Sequence, residues 1–342
     1  VLILGEKMKK KIEYYIKEIE EKIEFPGKEM EYNETNSEFD SIYNEIFSEY
    51  SKECENHRNN IFENRKKIFW IRFTLIAIAV ILIMTIPLLG LLERESIFHI
   101  LLFIDVLAYA TFEYIYVYCS KVDTIESYLK YYKNNVISNL VKLININLVY
   151  EEIADSHIID VYKKAFGNTH CQWYDDYIHG VICGNRDIEM INFLNSKSNE
   201  LNKDNILFWG IFATLNLGKN INSSIKILPD KAIMSTKRKL NLDSSKFEEC
   251  FDVHTDDRIL ATRILTADVM EKLVDIYKKY KIGFDINIID NRLYLRLFSE
   301  ETFEPTLYSK YEKERLYYDY NCINLILELS EKITEVIDNM EI

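Results

Sequence analysis

Two long apolar runs dominate the pattern of hydrophobic and polar positions. Phe73 to Leu92 is 20 residues without a charge, and Ile97 to Cys119 adds 23 more, interrupted only by His99, Asp105 and Glu113. A helix needs about 20 apolar residues to cross a hydrocarbon core of roughly 30 Å. The link Glu93-Arg94-Glu95-Ser96 leaves room only for an antiparallel return. The pattern therefore predicts a two-helix transmembrane hairpin over 68–119. The stretch Leu75 to Ile83 lacks the polar stripe of a soluble core helix. The run also begins too far along the chain, and is too long, for a secretory signal. Basic residues near helix ends set orientation. Lys52, Arg58, Arg65, Lys66, Lys67 and Arg72 precede the first run, and Lys121, Lys130 and Lys133 follow the second, whereas the link holds Arg94 alone. Phe69, Trp70, Tyr114, Tyr116 and Tyr118 make an aromatic belt on the same side. The expectation is a multi-pass inner-membrane protein with both termini cytoplasmic and the lipid bilayer as a partner.

Upstream, over 1–67, the pattern predicts a cytoplasmic helical region. Ile12, Ile16, Ile19 and Ile23 repeat as a short heptad-like seam, a possible coiled coil, and Pro26-Gly27 ends it. From Ser37 a second periodic stretch (Phe39, Tyr43, Ile46, Tyr50) runs on as one helix continuous with the first apolar run. Downstream, over 120–342, helices are expected at about Thr124–Leu143 and Tyr150–Lys164, and then the texture changes. Ile188–Leu194, Ile206–Leu217 and Ile225–Leu228 are short alternating or apolar runs broken by Asn, Gly and Asp, the signature of strands. Phe284-Ile286-Ile288 against Leu293-Leu295-Leu297 across Asp290-Asn291 is a β-hairpin. Arg258 to Tyr280 reads as helix broken at Thr266, whose hydroxyl caps the second piece, and a last helix runs from about Leu307 to Met340. The predicted class is α+β, a mainly antiparallel sheet with flanking helices behind the transmembrane hairpin. It lacks the strand–helix alternation of a doubly wound fold.

The net charge of −13 and pI near 5.1 argue against nucleic acid as a partner. Cys54, Cys119, Cys171, Cys183, Cys250 and Cys322 are scattered without a C-x-x-C pair, so neither a disulfide framework nor a zinc ribbon is indicated. His170, Cys171, His179 and Cys183 match no common zinc spacing, and no metal or other cofactor is expected. Phosphate loops, nucleophile elbows and metalloprotease helices are absent. Val1 in first place leaves two beginnings open, Met8 or a residue upstream.

His254-Thr255-Asp256-Asp257-Arg258 is the sharpest polar cluster, with Arg263 one turn further on. Two carboxylates and an imidazole at a strand end could bind a ligand or divalent cation, or work as acid and base. The structural alternative has Asp256 capping the following helix, Asp257 favouring its positive end and an arginine pairing with either acid. Asp105 and Glu113 in the second run are ionisable residues inside an expected membrane span, with pairing between protomers, an ion path, or snorkelling as readings.

Phe251 to Thr266 resembles the most typical block of the bacterial domain of unknown function 3137 family, in which a Phe-x-Val strand leads to an acidic turn, an Ala-Arg pair and a Leu-Thr-Pro helix start. Here Thr262 splits Ala261 from Arg263, and Ala267 replaces the proline. Tyr177-Ile178-His179-Gly180, Gly210-Ile211-Phe212, Lys219, Leu228-Pro229-Asp230, Leu293-Tyr294-Leu295 and Phe303-Glu304-Pro305 follow the family in order, over roughly 145 to 310. The resemblance implies a fold and an upstream membrane anchor; it implies no activity. The chain is expected to be a membrane-anchored, non-enzymatic binding, regulatory or scaffold module for a cytoplasmic protein or small ligand, acting as a homo-oligomer. The alternatives are a tethered hydrolase using His254 to Arg258 and a small oligomeric channel.

Overall fold

A computed structural model describes residues 37–88, parts of 106–116, 124–153, 155–167, 170–197, 206–229, 239–299, 302–307 and 312–340. The alternating stretches build β1 (Leu148–Glu151), β2 (His170–Ile182), β3 (Arg186–Ser196), β4 (Ile206–Asn216), β5 (Ser224–Pro229), β6 (Lys239–Leu240), β7 (Phe251–Thr255), β8 (Phe284–Ile289) and β9 (Arg292–Leu297). They form one nine-stranded sheet in the order β1-β2-β3-β4-β9-β8-β5-β7-β6. Every pairing is antiparallel. The helices are α1 (Ser37–Leu88), α2 (124–144), α3 (His157–Phe166), α4 (Ser245–Glu248), α5 (Arg258–Ile264), α6 (Ala267–Tyr280) and α7 (Glu312–Asn339).

Side chains alternate across a strand, and here the alternation feeds two cores. Met190, Ile211, Leu293 and Leu295 point to the larger one, where Phe39 and Ile46 of α1, Tyr132 and Leu140 of α2, Leu273 of α6 and Ile323 of α7 meet. Ile191, Phe193, Phe212 and Tyr294 point the other way, onto Ile158, Tyr162 and Ala165 of α3. On that second face Asp285 and Arg296 lie directly opposite in register and pair through the guanidinium. Arg296 also stacks 4.0 Å above Phe166.

Local chemistry explains most boundaries. Asp290, at φ 53, and Asn291 turn β8 into β9. Thr266 accepts a hydrogen bond from the N–H of Val269 and starts α6 where the break was expected. Lys219 donates to the carbonyls of Ile337, Asp338 and Met340 at 3.1, 2.8 and 3.0 Å, closing the end of α7. This is the favourable placement for a cation at a helix C-terminus. Gly180 lies under the chain entering β1: a Cβ there would stand 2.1 Å from the Asn147 carbonyl oxygen.

Two expectations are corrected. The helix expected from Tyr150 begins only at His157, and Leu148–Glu151 is a strand paired with β2. Val149 and Tyr150 suit a pleated edge better than a first helical turn. More consequentially, no helix among the described residues is long and apolar enough to cross a membrane. The first apolar run falls in part within α1, which is described as one continuous helix over Ser37–Leu88 and is polar over most of that length. The transmembrane hairpin, the multi-pass inner-membrane location and the cytoplasmic assignment of both termini are therefore not supported. The seam at Ile12 to Ile23 and most of the second run, 97–119, lie outside the described residues.

Candidate functional site

Three irregularities of the backbone converge on one buried point. Within α2, Tyr132–Ile137 is a π-helical turn, and it carries Lys133. In β2 the register with β3 shifts between Asp175 and Ile178, and Asp176 takes φ 55. Between β9 and α7, Phe303 takes φ 63 ahead of Glu304. π-turns, β-bulges and left-handed non-glycine residues each carry a cost and concentrate where a side chain must be re-aimed. The chain keeps all three to bring four charged side chains together.

The Lys133 ammonium lies 3.1 Å from Asp175, 2.8 Å from Asp176 and 2.9 Å from Glu304. Burial opposes its charge, and the three carboxylates overcome that, holding its pKa well above the ordinary lysine value. The Tyr150 hydroxyl donates to Asp176 at 2.6 Å. The Asn192 amide donates to Asp176 at 3.5 Å and to the Thr302 carbonyl at 3.3 Å. One oxygen from each of the three carboxylates falls within 4.8 Å of the others, a spacing fit for a metal ion. The lysine ammonium stands among them and supplies the positive charge. An ammonium so held has no lone pair for nucleophilic work, and only Asp175, at 18% side-chain exposure, reaches towards solvent. The arrangement is a clamp joining α2, β2 and the 302–305 turn.

Asp319 of α7 continues the cluster. Its Oδ1 accepts the Phe303 N–H at 2.9 Å. Burial raises its carboxyl to about 7, with Glu304 adding to the effect and Arg315, the Phe303 N–H and Lys133 opposing it.

A second feature is open. A cleft of about 1210 Å³ lies among the β2–β3 turn, α6 and α7, with Glu38 of α1 in its wall. Side-chain amides (Asn185, Asn321, Asn324) and phenols (Tyr280, Tyr317, Tyr320) line it. Its acidic residues are Glu38, Glu328, Glu331, Glu335 and Asp338, against the cations Arg186 and Lys279. Arg186 is fixed on Asp338 at 2.6 Å, and Lys279 on Glu328 at 2.9 Å. Burial pulls the Glu328 carboxyl up, but hydrogen bonds from Lys272, Lys279 and Tyr280 outweigh it and lower its pKa.

The residues singled out from sequence lie elsewhere. His254 is half-buried in β7, opposite Lys226 and Lys239 in register. Asp256 accepts from the Ser223 hydroxyl at 2.8 Å and the Ser224 N–H at 3.0 Å, tying the end of β7 to the start of β5. The cap belongs to Asp257 rather than Asp256: its Oδ1 accepts the Leu260 N–H at 3.0 Å, because α5 begins at Arg258. Arg258 and Arg263 are exposed. Asp257→Ala is expected to cost about 1 kcal/mol, read by urea denaturation; a cost below roughly 0.3 kcal/mol would deny the cap. Asp105 lies outside the described residues, and Glu113 is half-buried at a helical position.

Sequence reasoning missed Lys133, Asp175, Asp176 and Asp319 as a group. The available signals were two adjacent aspartates inside a strand and an aspartate between Leu316 and Tyr320 on the buried stripe of a helix.

Residues 206–334 match the model of a family described as Protein of unknown function (DUF3137). That stretch of the chain belongs to this family. It runs from β4 into α7, so the DUF3137 match contains Glu304 and Asp319 and leaves out Lys133, Asp175 and Asp176. Comparison with curated proteins gives no match. Among solved structures, the chain is similar to the crystal structure of the mycobacterial trehalose monomycolate transport factor A, TtfA, at 9% identity and a TM-score of 0.34. The alignment covers 56% of this chain and 96% of that one. A likeness at this level carries no argument about function.

Proposed function

We propose that this protein is a non-catalytic binding module that takes a basic segment of a protein partner in the polar cleft. The observation behind this reading is the composition of the cleft wall. Carboxylates exceed cations, and both cations are already held by acids of the same wall. Asparagine amides and tyrosine hydroxyls between the acids offer donors and acceptors to a peptide backbone. A ligand with lysine or arginine side chains would meet complementary charge, which governs specificity and encounter rate more than raw affinity.

The test uses the full chain and a fluorescein-labelled peptide of alternating arginine and serine, followed by anisotropy, with an alternating glutamate–serine peptide as control. Glu331→Gln combined with Glu335→Gln is expected to weaken arginine-peptide binding by about tenfold, two rim charges each worth up to roughly 1 kcal/mol. Raising the salt should weaken binding of the unsubstituted protein. Equal affinity of the double variant and the unsubstituted protein would place the peptide elsewhere and remove the cleft from the reading.

A further inference from the structure

We propose that Lys226 and His254, side by side on the second face of the sheet, form a binding site for the phosphate group of a small molecule. This inference stands apart from the cleft and does not depend on it.

The register of the sheet builds the site. Lys226 of β5 lies directly opposite His254 of β7, and His254 lies directly opposite Lys239 of β6. Residues opposed in this way project from the same face, with Cβ atoms about 5 Å apart. On the other side of Lys226 comes Asn287 of β8, whose amide donates to the Ala165 carbonyl near the end of α3 at 3.0 Å. That bond identifies the face. Lys226, His254 and Lys239 share the side on which α3 packs, while Ile225, Ile227 and Val253 turn into the larger core. Helix α3 covers strands β2, β3, β4 and β9. Past Asn287, Lys226 and His254 are half-buried and Lys239 is exposed, so solvent reaches the row.

The acids beside the row are already engaged. Asp252, diagonal to Lys239, holds its ammonium at 2.5 Å. Asp285 pairs with the Arg296 guanidinium, and Lys226 acts on it only through its field. Asp256, two residues beyond His254, accepts from the Ser223 hydroxyl and the Ser224 N–H. Among the described residues neither Lys226 nor His254 makes a hydrogen bond or an ion pair. An acid opposite Lys226 would have stabilised the strand pair; in a chain of net charge −13, an imidazole stands there instead. An ammonium and a ring N–H, adjacent, solvent-reached and unused by the fold, make a seat for an anion.

Phosphate suits this pair of donors. A phosphate monoester offers three acceptor oxygens and up to two negative charges. One oxygen can take the Lys226 ammonium, which binds phosphate as a point charge from a flexible stem, and another can take the His254 N–H. Lys239, held by Asp252, bounds the site on the β6 side.

The test follows inorganic phosphate by phosphorus NMR in the presence of the full chain, with sodium chloride adjusted to keep the ionic strength constant. The phosphate signal is expected to broaden in proportion to the protein added. Lys226→Ala and His254→Ala should each weaken binding by about tenfold, the effect of losing one hydrogen bond to a charged group. Lys278→Ala, on the exposed side of α6, should leave it unchanged. Since neither Lys226 nor His254 holds a bond within the fold, both variants should keep the urea midpoint of the unsubstituted protein. No broadening with the unsubstituted protein, or equal broadening with either Lys226→Ala or His254→Ala, would overturn the site. A variant that lost its urea midpoint together with binding would show a structural role for that residue, and would overturn the site as well.

Discussion

Lys133→Met is expected to destabilise the protein by about 3–5 kcal/mol at pH 7, measured as a lower urea midpoint with an unchanged slope. Methionine preserves most of the side-chain volume and removes the charge, so the loss is electrostatic rather than a cavity. Three carboxylates at 2.8 to 3.1 Å would lose their common cation, and two of them have no route to water. Breaking a buried ion cluster from one side costs much more than replacing it whole, because the remaining charges stay buried. The sign of the pH dependence follows. In the variant, the carboxylates can neutralise themselves only by binding protons, so their folded-state pKa values must rise above the unfolded ones. Stability is then present at low pH and lost as pH rises through those raised values. The variant should therefore recover part of its deficit at pH 5. A loss under roughly 1 kcal/mol at pH 7 would mean that water already screens the cluster, and the clamp would have to be abandoned.

The difference between what could and could not be read from sequence lies in how local each signal is. The β8–β9 hairpin was legible because alternation and turn chemistry occupy one short stretch, Phe284 to Leu297. The break at Thr266 was legible for the same reason, since the cap and the N–H it accepts are three residues apart. The charge cluster has no such address. Lys133 reaches Asp175 across 42 positions, and the three irregularities that aim these side chains depend on their tertiary surroundings. Asp256 and Asp257 show a finer limit: both lie where a cap was expected, and only the start of α5 decides between them. The apolar run from Phe73 misled because hydropathy measures composition over a window, whereas the run's described part continues α1, whose earlier turns pack Phe39 and Ile46 into the core.

Gly210→Ala is expected to cost more than about 3 kcal/mol, in the range where single substitutions report a specific steric fault. Gly210 sits in β4 at φ 152, beside the point where β9 ends. A Cβ there would stand 1.9 Å from the Leu297 carbonyl oxygen and 2.7 Å from the Ser299 N. Both are backbone atoms, so no side chain can rotate away, and β9 would have to lift from β4. The Gly-x-Phe motif thus has a physical basis: glycine admits the departing strand, and Phe212 two residues on packs under Tyr162 and Tyr294. The displaced segment leads within a few residues to Phe303 and Glu304, so the strain would reach the clamp as well. Gly184→Ala is the control. Its φ of 76 disfavours alanine, yet nothing lies within 4 Å of the added Cβ, and a cost of about 1 kcal/mol is expected from conformation alone. If the two variants lose the same stability, conformation alone explains Gly210 and the close approach of β9 contributes nothing. If Gly210→Ala loses at least about 2 kcal/mol more, backbone contact between β4 and β9 holds the route by which the sheet delivers Glu304 to Lys133.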